Sequence, residues 1–260
     1  MTVVDHLVAG GAAIVAGAVN AIAGGGTLVS FPALIAIGVP SLSANVTNTV
    51  ALCPGYLSGT FAQREDLRPQ WARVRRLALF AVVGALAGSA LLEVTPEKDF
   101  RAAVPYLILA SCALLLAQDR VRGWVAARSG ATTAEVAADE VAPPASWTLC
   151  IAVLLGAVYG GFFGAGLGIM LLAVLGVLCA DSLVRLNAVK QAMSLLINVV
   201  AAVFFAVSGH VRWELVPTMA VASLIGGTVG GRLVRVINPV LLRRAIVVFG
   251  VAVAVSFFVG

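Results

Sequence analysis

Charge is what this sequence most lacks. Only 11% of its 260 residues are Asp, Glu, Lys or Arg, against about a quarter in a soluble domain. Leu7 to Gln63 contains no charged side chain at all, and the mean hydropathy is +1.04. Such a chain cannot cover a water-facing surface, so an integral membrane protein is the class that fits. Histidine is almost missing. His6 and His210 fall at the ends of apolar runs, in no metal-ligand spacing and with no serine nucleophile to serve. Enzyme chemistry, a metal site and a cofactor therefore find no support. Carboxylates, the usual members of intramembrane proton relays, are missing from inside the apolar runs. Cys53, Cys112, Cys150 and Cys179 stand singly in those runs, as packing residues do, and form no disulfide framework. The net charge of +5 implies no nucleic-acid partner, because the basic residues cluster in loops between apolar segments. The opening "MTVVDHLVAGG" lacks a basic leader region, so the first apolar run is expected to stay in the mature protein.

What is present is a series of ten apolar runs, near 4–22, 28–39, 44–62, 72–92, 100–118, 147–163, 167–180, 184–208, 214–234 and 242–259. The expected fold is an all-α polytopic membrane protein of 8–10 membrane helices, in which 28–39 and 167–180 are short and open to a re-entrant reading. Between the fifth and sixth runs lies a stretch rich in Ala, Thr, Pro and acids. It reads as a solvated linker over 119–146 with room for an interfacial helix near Trp124. The linker separates an N-terminal unit, 1–118, from a C-terminal unit, 147–260, and the two align without a gap at an offset of 142 residues. Gly24 and Gly26 fall on Gly166 and Gly168, Asn45 on Asn187, Trp71 on Trp213, Gly84 and Gly88 on Gly226 and Gly230, and Arg101 on Arg243.

Five segments per unit is an odd number, so the second unit is expected upside down relative to the first. Charge tests this separately. Loop 63–76 carries Arg64, Arg68, Arg73, Arg75 and Arg76, whereas its counterpart has only Arg212. The mixed loop near 93–101 has a counterpart with Arg232, Arg235, Arg243 and Arg244 and no acid. The basic loop changes place between units, as inversion under the positive-inside rule requires. Loops 63–76, 119–146 and 232–244 are then cytoplasmic, with both termini on the extracytoplasmic side.

Polar side chains inside the runs mark the place for chemistry. Asn187, Lys190, Gln191, Ser194 and Asn198 share one helix face, and Asn45, Asn48, Thr49 and Tyr56 repeat the stripe in the third segment. A lysine near the bilayer centre costs at least about 2.5–3.5 kcal/mol, which calls for a partner or a watery cavity. Lys190 among amide and hydroxyl donors suits an anionic ligand; the alternative is a lysine that snorkels to the interface beside Arg185. Gly24, Gly25 and Gly26, and again Gly164, Gly166 and Gly168, precede the two short segments. Broken backbone at membrane depth is tolerated only where protein or a cavity covers it. Two helix N-termini converging there would form an anion site; simple tight turns or close helix packing remain the other reading. Gly84/Gly88 and Gly226/Gly230 read as packing faces that also permit a homodimer.

Two stretches resemble a known family. "AGGGTLVSFPALIAIGVPSLSANVTNTVALCPGYLSGTFAQREDL" resembles the N-terminal half of the TauE/SafE sulfite exporters, and "RLNAVKQAMSLLINVVAAVFFAVSGHVRWELVPTMAVASLIGGTVGGRLVR" looks like their C-terminal half. The chain departs from the family at "NVTNT", where many members carry a Gly-Thr-Ser-like run. The resemblance implies a secondary transporter of the bacterial inner membrane that moves small sulfur-containing anions by alternating access, usually outward. Sulfite, sulfoacetate and other organosulfonates are the implied cargo; membrane lipid and, where a homodimer forms, its mate are the other partners expected of the chain. An anion channel, an importer of thiosulfate or a related sulfur compound, and a membrane-bound sensor stay open.

Overall fold

In the computed structural model, which describes residues 1–22, 24–130, 145–179, 181–233 and 239–259, every apolar run folds as a helix, and no strand occurs among the described residues. The helices are α1 (Val3–Ile22), α2 (Thr27–Ala36), α3 (Ser41–Ala62), a one-turn α4 (Arg64–Leu67), α5 (Trp71–Glu93), α6 (Glu97–Gly130), α7 (Trp147–Phe162), α8 (Leu167–Leu178), α9 (Leu183–Ala206), α10 (Val216–Leu233) and α11 (Pro239–Val259). Hydroxyl caps start two of them. Ser146 accepts from the Leu149 amide at 3.2 Å and Ser182 from the Arg185 amide at 3.3 Å. Helix α3 begins at Pro40, which has no side-chain acceptor to offer, and the Glu97 carboxylate takes the Ser41 and Leu42 amides at 2.7 and 2.9 Å instead.

Among the described residues, four stretches are long and apolar enough to span a bilayer: Val3–Asn20, Arg64–Glu93, Glu97–Ala127 and Leu183–Ala206. Many large apolar side chains on the helices point outward, among them Leu7, Leu79, Leu155, Val203 and Val248, each more than 60% exposed. That surface belongs in lipid. At 10 and 12 residues, α2 and α8 reach only about 15 and 18 Å, short of a bilayer core.

One boundary differs from the sequence reading. Helix α6 does not stop near 118 but runs on to Gly130. Its extension is held by packing, since Val125 is 1% exposed and fills the space that Gly176 of α8 leaves open. The rest of the expected linker, 131–144, lies outside the described residues, as do Arg235 and the side chains of Arg232 and Arg243.

Close helix contacts follow the glycines. A Cβ on Gly84 or Gly88 of α5 would strike the Leu154 or Val158 carbonyl of α7, and one on Gly226 of α10 would strike the Ile14 carbonyl of α1. These small faces serve packing inside one chain. Helix α3 lies against α10 and α9 against α5; α3 and α9 meet each other, as do α6 and α11. At one end, Arg73 of α5 meets Asp181 and Arg76 stacks on Trp147. At the other, His6 meets Thr218, the Thr47 hydroxyl accepts the Arg212 amide, and Phe257 shares a cavity of about 430 Å³ with Ile35, Ser41 and Glu97. Both termini therefore lie at the end opposite Arg64–Arg76.

Candidate functional site

Helices α1 and α7 end in matching turns. The Gly24 amide reaches back to the Val19 carbonyl at 3.0 Å, and the Gly164 amide to the Tyr159 carbonyl at 3.2 Å. Gly24, Gly164 and Gly166 adopt φ of +80°, +74° and +75°, where a side chain would be strained. Helix α2 then starts after Gly26, and α8 after Gly166. These turns correspond at a spacing of 140 residues, whereas Asn45 and Asn187 are 142 apart. The gapless alignment thus slips by two residues at the breaks, because α8 is two residues longer than α2.

The two breaks meet. A Cβ on Gly168 would lie 3.9 Å from the Gly24 Cα and 3.7 Å from the Lys190 Cδ. Lys190 is 7% exposed, so its stem runs inward to the breaks rather than out along the surface, and it already engages another group of the chain. Gly26 and Gly25 face walls instead. Gly26 abuts Ala16 and Asn20, and Gly25 the Leu115 side chain. Gly166 abuts Leu114 and Ser111.

The stripes lie on α3 and α9, which run antiparallel. Asn187 donates to the Gln63 Oε1 at 2.6 Å and the Thr60 hydroxyl reaches the Gln191 carbonyl at 3.4 Å, so the start of α9 lies beside the end of α3. Gly59 makes room there for the Gln191 amide. Lys190 is therefore level with about residue 60, and Asn48 stands about 18 Å further along the pair at a 1.5 Å rise per residue. Of these side chains, Lys190 lies beside Gly168 at the breaks, Gln191 lies against Gly59, and Asn45 reaches the end of α7 just before the second break. Asn45 donates to the Phe162 carbonyl at 2.9 Å, Thr49 to the Asn45 carbonyl at 3.0 Å and Asn198 to the Ser194 carbonyl at 2.8 Å. Among the described residues, the buried Oδ1 atoms of Asn45 and Asn48 and the Ser194 Oγ find no hydrogen-bond partner. Buried polar atoms left so are costly and call for a partner. No group of three or more His, Cys, Asp or Glu side chains capable of holding a metal occurs among the described residues.

Sequence reasoning missed the residues that fasten the breaks. Asn20, 6% exposed, accepts the Gly26 amide on Oδ1 at 2.8 Å. The Tyr159 hydroxyl donates to the Ala165 carbonyl, and the Ser111 Oγ lies 3.0 Å from both atoms. An Asn six residues before Gly26 was the available signal for the first. Nothing local relates Ser111 to Ala165, 54 positions later.

The sequence profile of the family described as Sulfite exporter TauE/SafE matches residues 9–257. Three relatives are described as probable membrane transporter proteins. ORF9 of Sinorhizobium sp is 26% identical over 94% of this chain and 88% of its own length. YfcA of Escherichia coli K12 is 26% identical over 91% and 83%. A protein of Haemophilus influenzae is 26% identical over 90% and 87%. No solved structure gives a significant match.

Proposed function

The chain belongs to the Sulfite exporter TauE/SafE family, a multi-pass membrane transporter and not an enzyme, and on that premise we propose that it exports small sulfur-containing oxyanions, sulfite or an organosulfonate, by alternating access. The observation that carries the proposal is the convergence of Gly24 and Gly168 beside the Lys190 stem. Amides at the starts of α2 and α8 supply the positive ends of two helix dipoles, and Lys190 supplies a full charge. Gln191 and Ser194 add side-chain donors on the same stretch of α9. Asn45, at the edge of the second break, and Asn48, Thr49 and Asn198 extend the polar lining along the α3–α9 pair. Asn187, bound to Gln63, closes the path at the end of the basic loop.

An inverted repeat supports alternating access, because exchanging the two units exchanges inward-open and outward-open forms. The antiparallel course of α3 and α9 is what inversion requires, and the packing of α1 on α10 mirrors that of α5 on α7. In this reading the chain lies in the bacterial inner membrane, with Arg64–Arg76 in the cytoplasm and both termini outside.

The test is uptake of radiolabelled sulfite and sulfoacetate into proteoliposomes of known orientation, comparing the native chain with Lys190→Ala. Saturable flux, accelerated by unlabelled anion on the far side and lost in the variant, is expected. Flux that follows the electrochemical gradient without counterflow would indicate a channel, and no flux of either anion would overturn the proposal.

A further inference from the structure

We infer that the cavity at the end carrying both termini is a second anion site, which takes a small organic oxyanion with a short apolar tail. It lies among the end of α2, the starts of α3 and α6 and the end of α11, and its volume is about 430 Å³. Pockets for small molecules run from about 300 to 1,000 Å³. Its walls are of two kinds. Ile35, Val39 and Phe257 are apolar, whereas Ser41, Glu97 and Arg101 are polar or charged. No residue of the central seat takes part, so the inference extends the transport reading without resting on it.

Glu97 and Arg101 stand one turn apart on α6, yet their charges are answered differently. The Glu97 carboxylate accepts the Ser41 and Leu42 amides at 2.7 and 2.9 Å, where the positive end of α3 offsets its charge. The Arg101 guanidinium has no ion pair or hydrogen bond among the described residues, and it is exposed, so an anion reaches it from solution. Ser41 is the opposite case. It is 4% exposed, and its hydroxyl finds no hydrogen-bond partner among the described residues. Its oxygen is not among the sealed atoms, and the open space it lines is this cavity. A buried hydroxyl left unmatched is costly. A guanidinium fork and a hydroxyl offer only the donors that an oxyanion needs. The apolar walls then cover a hydrocarbon part, whereas a bare inorganic anion would leave them facing water.

Equilibrium binding of radiolabelled butanesulfonate to the full chain in phosphatidylcholine nanodiscs tests it, with folding checked by thermal melting. Binding is read without flux, so this inference and the transport reading fail separately. Butanesulfonate is expected to bind the native chain and Lys190→Ala alike, and to bind at least about tenfold tighter than methanesulfonate, because burying each methylene is worth a factor of about four. Arg101→Gln should weaken binding about tenfold or more, and Ser41→Ala about threefold. Phe257→Ala should shrink the advantage of the longer chain while methanesulfonate binds within about twofold of its native affinity. No binding to the folded chain, equal affinity for the two chain lengths, or native affinity in folded Arg101→Gln overturns the inference. Displacement of butanesulfonate by phosphatidylglycerol added to the nanodisc would assign the cavity to a lipid headgroup and overturn the small anion.

Discussion

Arg73 Nη1 lies 2.8 Å from Asp181 Oδ2, with both side chains at most 5% exposed and 108 positions apart in the chain. Gln70 Oε1 also accepts from Arg73 at 2.7 Å, the Ser182 amide bonds Asp181 at 2.9 Å, and Gln70 reaches the Arg185 carbonyl at 2.7 Å. The cluster ties the start of α5 to the corner that launches α9, and so sets the height at which Lys190 enters the protein. Removing one member strands a buried charge, at a cost of about 3–5 kcal/mol. Asp181→Ala should therefore lower detergent melting temperature severely. The double variant Arg73→Met/Asp181→Leu should recover much of the loss, and no recovery would show that the pair is not the element at work.

Gly88 tests helix packing. A Cβ there meets the Val158 carbonyl, and backbone cannot step aside as a flexible side chain can. Gly88→Ala is expected to destabilise by about 1–3 kcal/mol, the usual range for overpacking. Gly11, with nothing within 4 Å, is the control: Gly11→Ala should be neutral or add about 0.5–1 kcal/mol. Equal melting of the two variants would contradict the close approach of α5 and α7.

Gly168 separates folding from transport. Its Cβ would meet Lys190 and Gly24 at 3.7–3.9 Å, ordinary contact distances. Gly168→Ala should melt within a degree or two of the native chain while transport slows, because the methyl stands between the two breaks. Lys190→Arg should recover part of the flux lost in Lys190→Ala, since charge is kept while the point-like ammonium becomes a planar fork. Native transport by Gly168→Ala would move the seat away from the breaks.

Glu97 caps α3 from outside its own sequence. Glu97 as a whole is exposed, so its two amide bonds are worth about 1 kcal/mol together. Glu97→Ala is expected to speed hydrogen exchange at Leu42 to Asn45 more than at α9, and Glu97→Gln to do so about half as much. Exchange that quickens equally in α3 and α9 would assign the effect to global stability.

Much of this architecture is written in local patterns. Uncharged runs of membrane length give the helices, and the glycines before Thr27 and Leu167 give the breaks. The facing of α3 and α9 follows from Asn, Lys and Gln at helical spacing. Contacts between distant positions were not legible. Arg73 reads as one more loop arginine until Asp181 folds beside it, and Ser111 reads as plain helix filler until the Ala165 carbonyl arrives. Helix α6 overran its expected end because composition marks where a helix leaves lipid, whereas Val125 seated on Gly176 holds it together past that point. The two-residue slip at the breaks was hidden for the opposite reason. An alignment anchored on Asn and Trp has no means to register that α8 has an extra half-turn.

The glycine turns at 24 and 164 look interchangeable in the sequence, yet they are fastened differently. Asn20 secures the first from the helix that runs directly into it. Ser111 and Tyr159 secure the second, and Ser111 belongs to α6, on the far side of the linker. The first turn is held by a side chain of its own helix, the second by one from its own helix and one from across the linker. A change at Ser111 therefore loosens the second turn directly, whereas α6 meets the first only through the Leu115 side chain against Gly25. Substitution at Asn20 and substitution at Ser111 thus act first on different turns of the same protein.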